Sequence, residues 1–505
     1  MNSRRLSVAA AALGVVTLAF HAVPGRAWDE AAQPPGAEVQ ARGPVHEAFA
    51  MPVDAQPQQG PVVAKQPPDP IDEAPPEDKP DGDNVQWIPG YWAWDADQSD
   101  FLWVSGFWRA TPPGRRWLPG HWQEIDGGWV WVSGFWAPGD LQEVQYLPSP
   151  PPSVDSGPST PAPDTNSFYV SGCWVYRDSR YFWRPGHWVA YQPHWVWVPA
   201  HFVWTPTGYL FVDGYWDHPL DERGLLFAPV RFDLRLWLAA RRPYVPVYVV
   251  HSDFLIGALF VGPHRRDYYF GDYFEDRYAK RGYVAWNDYH PHKAMDDPNF
   301  AYYRHLHAGE PTWENSLREL YRGRSSGDVP RPPHTLVQQN QVIQNITVNK
   351  TQNVVVNKNV NLTHVQNATA LAPLKEVHNT RVTNLGALSP GKETKVVPRA
   401  VTIVPVPKAE HAREVKVATQ IRDVAHQRRD TEAKILNQGG IPVKHTDPPK
   451  AVKIELPKPP PHVVTPPPVK KPPPPPPMIP KHEEHPIPKF EPKPPPAPPK
   501  KDKKP

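Results

Sequence analysis

The chain has 505 residues, of which 71 are proline and 31 glycine, together about one fifth against roughly 12% in an average protein. Proline removes backbone donors from helices and ladders, so no single globular domain can span this length. A net charge of +3 from 55 basic and 52 acidic residues excludes a strongly basic nucleic-acid binder, and the single cysteine, Cys173, excludes an intrachain disulfide.

At the N-terminus, Arg4 and Arg5 precede the apolar run Leu6 to Phe20, and Gly25 and Ala27 supply small residues just before Trp28. Residues 1–27 therefore read as a secretory signal peptide, which places the protein in the periplasm, cell envelope or cell surface. An uncleaved anchor ranks second, because the run is short for a spanning helix. The later apolar run Tyr244 to Val261 is broken by His251, Ser252 and Asp253, so an integral membrane protein is not expected. Residues 28–84, rich in Pro, Ala and Gln with an acidic end, read as a disordered linker.

The composition then changes abruptly: 17 of the 21 tryptophans lie between Trp87 and Trp216. One hexapeptide recurs eight times there: WIPGYW from Trp87, WVSGFW from Trp103, WLPGHW from Trp117, WVSGFW from Trp131, YVSGCW from Tyr169, WRPGHW from Trp183, WVPAHF from Trp197 and FVDGYW from Phe211. The spacing divides them into two sets of four, 85–139 and 167–224, separated by a Pro/Ser-rich linker, 140–166.

Within the seventh copy, Trp195 and Trp197 are out of phase with Phe202 and Trp204 on a regular strand. A bulge at Pro199-Ala200 restores the phase, and glycine at that position in the other copies implies either a positive φ or a close backbone approach. A tight turn at Pro-Gly is the rival reading. Turn chemistry between motifs, at Asp95-Ala96-Asp97, Asp126-Gly127-Gly128, Asp178-Ser179-Arg180 and Thr205-Pro206-Thr207-Gly208, favours the bulge. The expected fold is mainly β: an antiparallel meander of eight short Trp-rich repeats in two sets of four, with a small mixed α/β extension and long disordered Pro-rich flanks. Two packed or continuous sheets are preferred, and a propeller-like arrangement and a closed barrel remain compatible.

Residues 225–324 form the aromatic-rich mixed extension, in which Thr312 caps a helix from Trp313 to Arg322 that Gly323 stops. Residues 325–408 are Asn-rich and of low complexity. Between Leu336 and Val365 apolar and Asn/Thr residues alternate, which predicts an exposed strand seeking a partner edge, with disorder prone to self-pairing as the alternative. Residues 409–440 read as a solvated helix or weak coiled coil, since Arg428 and Thr431 interrupt its apolar seam. The tail, 441–505, holds 26 prolines and 13 lysines against 6 acids. It is expected to be disordered and extended.

Little here is catalytic: P-loop, dinucleotide glycine, HExxH and GxSxG patterns are all missing, and no enzymatic activity or cofactor is expected. His187 and His201 occupy equivalent motif positions and are the weak metal candidates, on the premise that their strands are neighbours. Tyr, Phe and Cys fill the same slot in other copies, which favours a packing role. The motif tryptophans Trp92, Trp108, Trp122, Trp136, Trp174, Trp188 and Trp216 are the candidate aromatic binding surface, if they face solvent.

The eight motifs resemble the WXXGXW, or YXWGXW, repeats of a family of exported bacterial proteins. That resemblance implies a signal peptide, a repeat region and no enzymatic activity, and the seventh copy departs from it at Ala200 and Phe202. The leading reading is a noncatalytic cell-envelope structural or interaction protein whose basic Pro-rich tail meets anionic envelope or wall polymers. A carbohydrate-binding module that stacks its aromatics on glycans is the first alternative, and a scaffold self-associating through the Asn-rich strand is the second. Protein partners fit all three; nucleic acid fits none.

Overall fold

The computed structural model describes residues 36–240, 242–264, 267–292, 295–310, 312–351, 369–377, 401–439 and 447–453. All of them fall within the unit Met1–Pro468; the second unit, Val469–Pro505, lies outside the described residues, as do residues 1–27, read above as a signal peptide, and most of the tail.

Each hexapeptide forms two short strands broken at its central Pro-Gly, Ser-Gly, Pro-Ala or Asp-Gly dipeptide. In the first hairpin, Val85–Ile88 and Tyr91–Asp95 run out, and Asp100–Val104 and Phe107–Ala110 run back. The register sets Tyr91 opposite Val104 and Ile88 opposite Phe107, so both strands break at the same level. Three further hairpins repeat this plan over 115–138, 167–190 and 196–217. The turns fall where the sequence placed them; in the third hairpin Asp178 and Ser179 take φ of 47° and 58°, the primed turn that suits strand twist.

Two expectations change here. The break is no bulge: two residues drop out of the ladder on each strand, Pro89-Gly90 and Ser105-Gly106 in the first hairpin, and they do so at the same level. Nor do four strands form a meander. Each hairpin pairs within itself, and other segments take the outer edges of the first: Gly224–Leu225 joins Phe107–Ala110, Val230–Phe232 joins Asp100–Val104, and Ala37–Val39 joins Val230–Phe232.

That last strand corrects the reading of 28–84 as a disordered linker. Over 36–84 the chain is an extended strap that buries Val39, Ala41, Val45, Phe49, Val53, Val63 and Ile71. Its amides find partners one at a time: Val45 N donates to Tyr268 O, Ala74 N to Tyr244 O, and Val63 and Trp129 exchange both bonds. Such a strap crosses several elements and buries a residue or two on each, so it lacks any period. The 140–166 linker is likewise partly ordered, since Glu143–Tyr146 pairs with Lys450–Lys453 and buries Val144 and Tyr146.

The C-terminal expectations also shift. Leu336–Thr351 is a helix, not a strand; Leu336, Gln339 and Asn340 share its buried face, and the Gln339 side chain bonds the amides of Ala370 and Leu371. The alternating stretch 352–365 lies outside the described residues. Trp313–Ser326 passes through Gly323 and ends at Gly327, whose φ is 87°, and Thr312 makes no side-chain cap. The long helix Lys408–Gln438 is not solvated: Glu414, Ala418, Ile421, Val424, Arg428, Glu432 and Ile435 are buried. Of the two residues read as interrupting its seam, Arg428 completes it, while Thr431 Oγ1 turns to donate to Gln427 O. Arg428 pairs with Glu432 at 2.9 Å and donates to the carbonyls of Pro119 and Ser133 in the second hairpin.

A second buried ion cluster ties hairpins to strap. Arg109 grips Asp217 through both carboxylate oxygens at 2.7 Å and donates to Ala48 O, while Arg223 reaches Asp217, Phe49 O and Asn299. Two guanidiniums on one carboxylate satisfy a site that burial would otherwise penalise heavily. Among the described residues no helix is long and apolar enough to cross a membrane.

Candidate functional site

The recurrent chemical feature is the break in each hairpin. Aromatic residues flank it as cross-strand pairs, Trp87 with Trp108 and Trp92 with Trp103 in the first hairpin, meeting edge to face at 5.4 and 5.2 Å between ring centres. Equivalent pairs recur in the other three. The first aromatic of each motif lies over the glycine of its partner. A Cβ on Gly106 would fall 2.7 Å from Trp87 Cζ2 and 2.6 Å from Ile88 O, and one on Gly120 or Gly214 would fall 2.5 Å from Cζ2 of Trp131 or Trp197. None of the seven motif glycines takes a positive φ. Close approach is therefore what selects glycine here. The exception explains itself: by register Ala200 faces Phe211, which lacks both the second ring of tryptophan and the hydroxyl of Tyr169.

With no side chain in the way, the glycine amides are open to an acceptor, and a carboxyl from outside the hairpin takes them. In the first hairpin Glu73 accepts from Gly90 N at 2.8 Å, Gly106 N at 2.9 Å and Trp103 Nε1 at 3.0 Å. In the second Glu47 accepts from Gly134 N at 3.0 Å and Trp131 Nε1 at 3.2 Å. In the third the half-buried Asp155 accepts from Gly172 N and Tyr169 OH. A motif tryptophan then holds the backbone beside each carboxyl: Trp92 Nε1 donates to Asp69 O, Trp136 Nε1 to Ala48 O and Trp174 Nε1 to Pro152 O. The fourth hairpin differs, since Gly214 N is met by the exposed Asp213 of its own motif, which also pairs with Arg184.

Burial raises the Glu73 carboxyl and pushes Glu47 up to about 7, despite the amide and indole donors that favour the charged form. These three acids were not legible as site residues. They sit in segments without periodicity, and nothing local separates Glu73 from its acidic neighbours.

The candidate aromatic surface is largely interior. Trp92, Trp108, Trp136 and Trp216 are at most 4% exposed; Trp122, Trp174 and Trp188 are half-buried, with their indoles donating to backbone carbonyls. Edge-to-face pairing across each hairpin turns these rings inward, so they do not form one open platform. His187 and His201 fall in different hairpins, opposite Val170 and Val212, so the premise of neighbouring strands fails. Burial lowers the pKa of both, and His201 Nδ1 meets Pro199 O at 2.9 Å. Among the described residues no group of three or more His, Cys, Asp or Glu is arranged to hold a metal. Cys173 is free and half-buried, with Arg184 Nη2 3.1 Å from its sulfur.

Two cavities adjoin the first two hairpins. One, of about 190 Å³, lies against the long helix; the other, of about 380 Å³, faces the strands around Tyr269. Tyr91, Trp122 and Trp131 line both.

Four segments, 82–109, 114–137, 169–189 and 193–217, match the family model described as WXXGXW repeat (2 copies). Each matched segment is one bent hairpin, so two copies of the motif make the unit that folds. No curated protein and no solved structure matches the chain.

Proposed function

Because residues 82–217 carry WXXGXW repeats, we propose that the chain is a noncatalytic structural or interaction protein of the cell envelope, exported by residues 1–27, whose hairpins act as clasps for extended acidic polypeptide. One observation carries the reading: three hairpins each hold a strap of this chain by a carboxyl at the glycine break and, beside it, an indole bond to a backbone carbonyl. A carboxyl accepting several N–H bonds out of water is a strong, geometrically demanding contact. It suits holding a chain in place and offers no reacting atom. The Pro- and Lys-rich tail supplies a cationic arm for anionic wall or envelope polymers, an attraction that salt screens.

Fractionation of native cells tests both parts. The protein should be recovered in the envelope with residues 1–27 removed, and deletion of 454–505 should shift its release to lower salt. Recovery of an unprocessed chain from the cytoplasm overturns the compartment. Unchanged release at every salt concentration overturns the role of the tail.

A further inference from the structure

The smaller cavity carries more than packing requires. Its walls are aromatic, with the half-buried Tyr91 and Trp122 beside Trp92 and Trp131. The long helix closes one side with Arg422, His426 and Arg429, residues at i, i+4 and i+7 and so on one face. Between that helix and the exposed Gln66 and Asp69 of the strap lies the mouth, where His426 is also exposed.

Two polar groups at this cavity lack partners. Arg422 makes no ion pair within 4 Å among the described residues, although its charge acts on the buried Glu73 carboxyl, and its Nη1 is buried without a hydrogen bond. His121, only 6% exposed, has Nδ1 buried without one, while Nε2 lies 3.4 Å from Glu432. A buried guanidinium nitrogen with no acceptor is costly; Arg116, Arg324 and Arg428 also each leave one nitrogen unmet, but their guanidiniums donate to a carbonyl through another nitrogen, whereas Arg422 makes no hydrogen bond among the described residues. The arrangement asks for an anion at one end of an apolar ring site.

We propose that this cavity binds an acidic sugar, with its carboxylate against Arg422 and its pyranose ring among Tyr91, Trp92 and Trp122. The volume supports one ring: about 190 Å³ lies below the ~300 Å³ at which pockets for drug-sized ligands begin. The ring orientations favour a pyranose over a flat aromatic acid. Trp92 meets Trp103 at 76° and Trp122 meets Trp131 at 64°, while the one parallel pair, Tyr91 and Trp131, is already in contact at 4.7 Å. No parallel slot is left for a planar guest. The C–H faces of a sugar can instead pack on the negative faces of rings set at differing angles, and Asp69, Gln66 and His121 remain for hydroxyls. The site does not depend on where the protein resides.

Titration of the full chain with methyl β-glucuronide, followed by tryptophan emission, tests it, with methyl β-glucoside and benzoate as controls. Saturable change with the glucuronide is expected, at an affinity about 10- to 100-fold above that for the glucoside, the range of a charge-assisted hydrogen bond. Arg422→Met should erase that preference without lowering the urea midpoint; Arg422→Lys should keep part of it, and the wild-type affinity should fall with salt. No saturable change with the glucuronide, equal affinity for both glycosides, tighter binding of benzoate, or an unaltered preference in Arg422→Met would each overturn the assignment.

Discussion

Substitution of Gly106 by alanine probes the hairpin break most sharply. The new Cβ would lie 2.6 Å from Glu73 Oε2, 2.6 Å from Ile88 O and 2.7 Å from Trp87 Cζ2. None of the three can retreat cheaply. Glu73 is held by Gly90 N and Trp103 Nε1, Ile88 is in the ladder with Phe107, and Trp87 is fully buried. Overpacking of this kind costs about 1–3 kcal/mol, and displacing one bond to a buried carboxyl adds ~1.5–3 kcal/mol, so a loss of about 3–5 kcal/mol is expected. Gly114 is the control: its φ is 65° and a Cβ there meets nothing within 4 Å, so Gly114→Ala costs ~1–2 kcal/mol of backbone strain alone. Ala200→Gly should lose less still, ~1 kcal/mol or under, through the unfolded chain. Urea unfolding followed by tryptophan emission reads all three, provided the slopes agree. Equal midpoints for Gly106→Ala and Gly114→Ala would refute close approach as the reason for the motif glycine.

Glu73→Gln keeps the shape but turns an NH2 toward amide donors, and should cost about 2–4 kcal/mol in the same assay. The Glu47 carboxyl, raised mainly by burial and also by Asp267, against the pull of Gly134 N, Trp131 and Arg428, titrates at about 7 rather than 4.5. The folded state thus keeps a proton that the unfolded chain releases, and stability should fall by ~3 kcal/mol as pH rises from about 4.5 to about 7; Glu47→Gln should flatten that slope. Arg428→Met strands Glu432 and two carbonyls and should cost ~3–5 kcal/mol, whereas Arg428→Leu with Glu432→Leu should cost less, as melting of both variants would show.

How much of this was readable varies with the physics of each element. The aromatic hexapeptide, its turns and the helix after Lys408 were visible because periodicity and turn chemistry are local. Pairing was not. Strands of like sequence can pair in several ways, and only the shared level of the breaks selects hairpins over a meander. The strap hid for a related reason: residues such as Val45 and Val63 bury singly on different elements, so 36–84 has the composition of a linker and the contacts of a core. Asn and Thr alternating with apolar residues from Ile346 on suggested an edge strand, yet the described part of that stretch continues the helix Leu336–Thr351, one face of which Leu336, Gln339 and Asn340 share. Arg428 looked like a flaw in a helix seam because its partners, Pro119 O and Ser133 O, lie some three hundred residues away.

Hydrogen–deuterium exchange of the full chain addresses the central claim, that the hairpins clasp the strap through Glu47 and Glu73. Peptides spanning 43–50 and 71–74 should be protected as strongly as the first two hairpins, and Glu73→Gln should release 71–74 together with Gly90 and Gly106. Complete exchange of 36–84 within seconds, beside protected hairpins, would contradict the account.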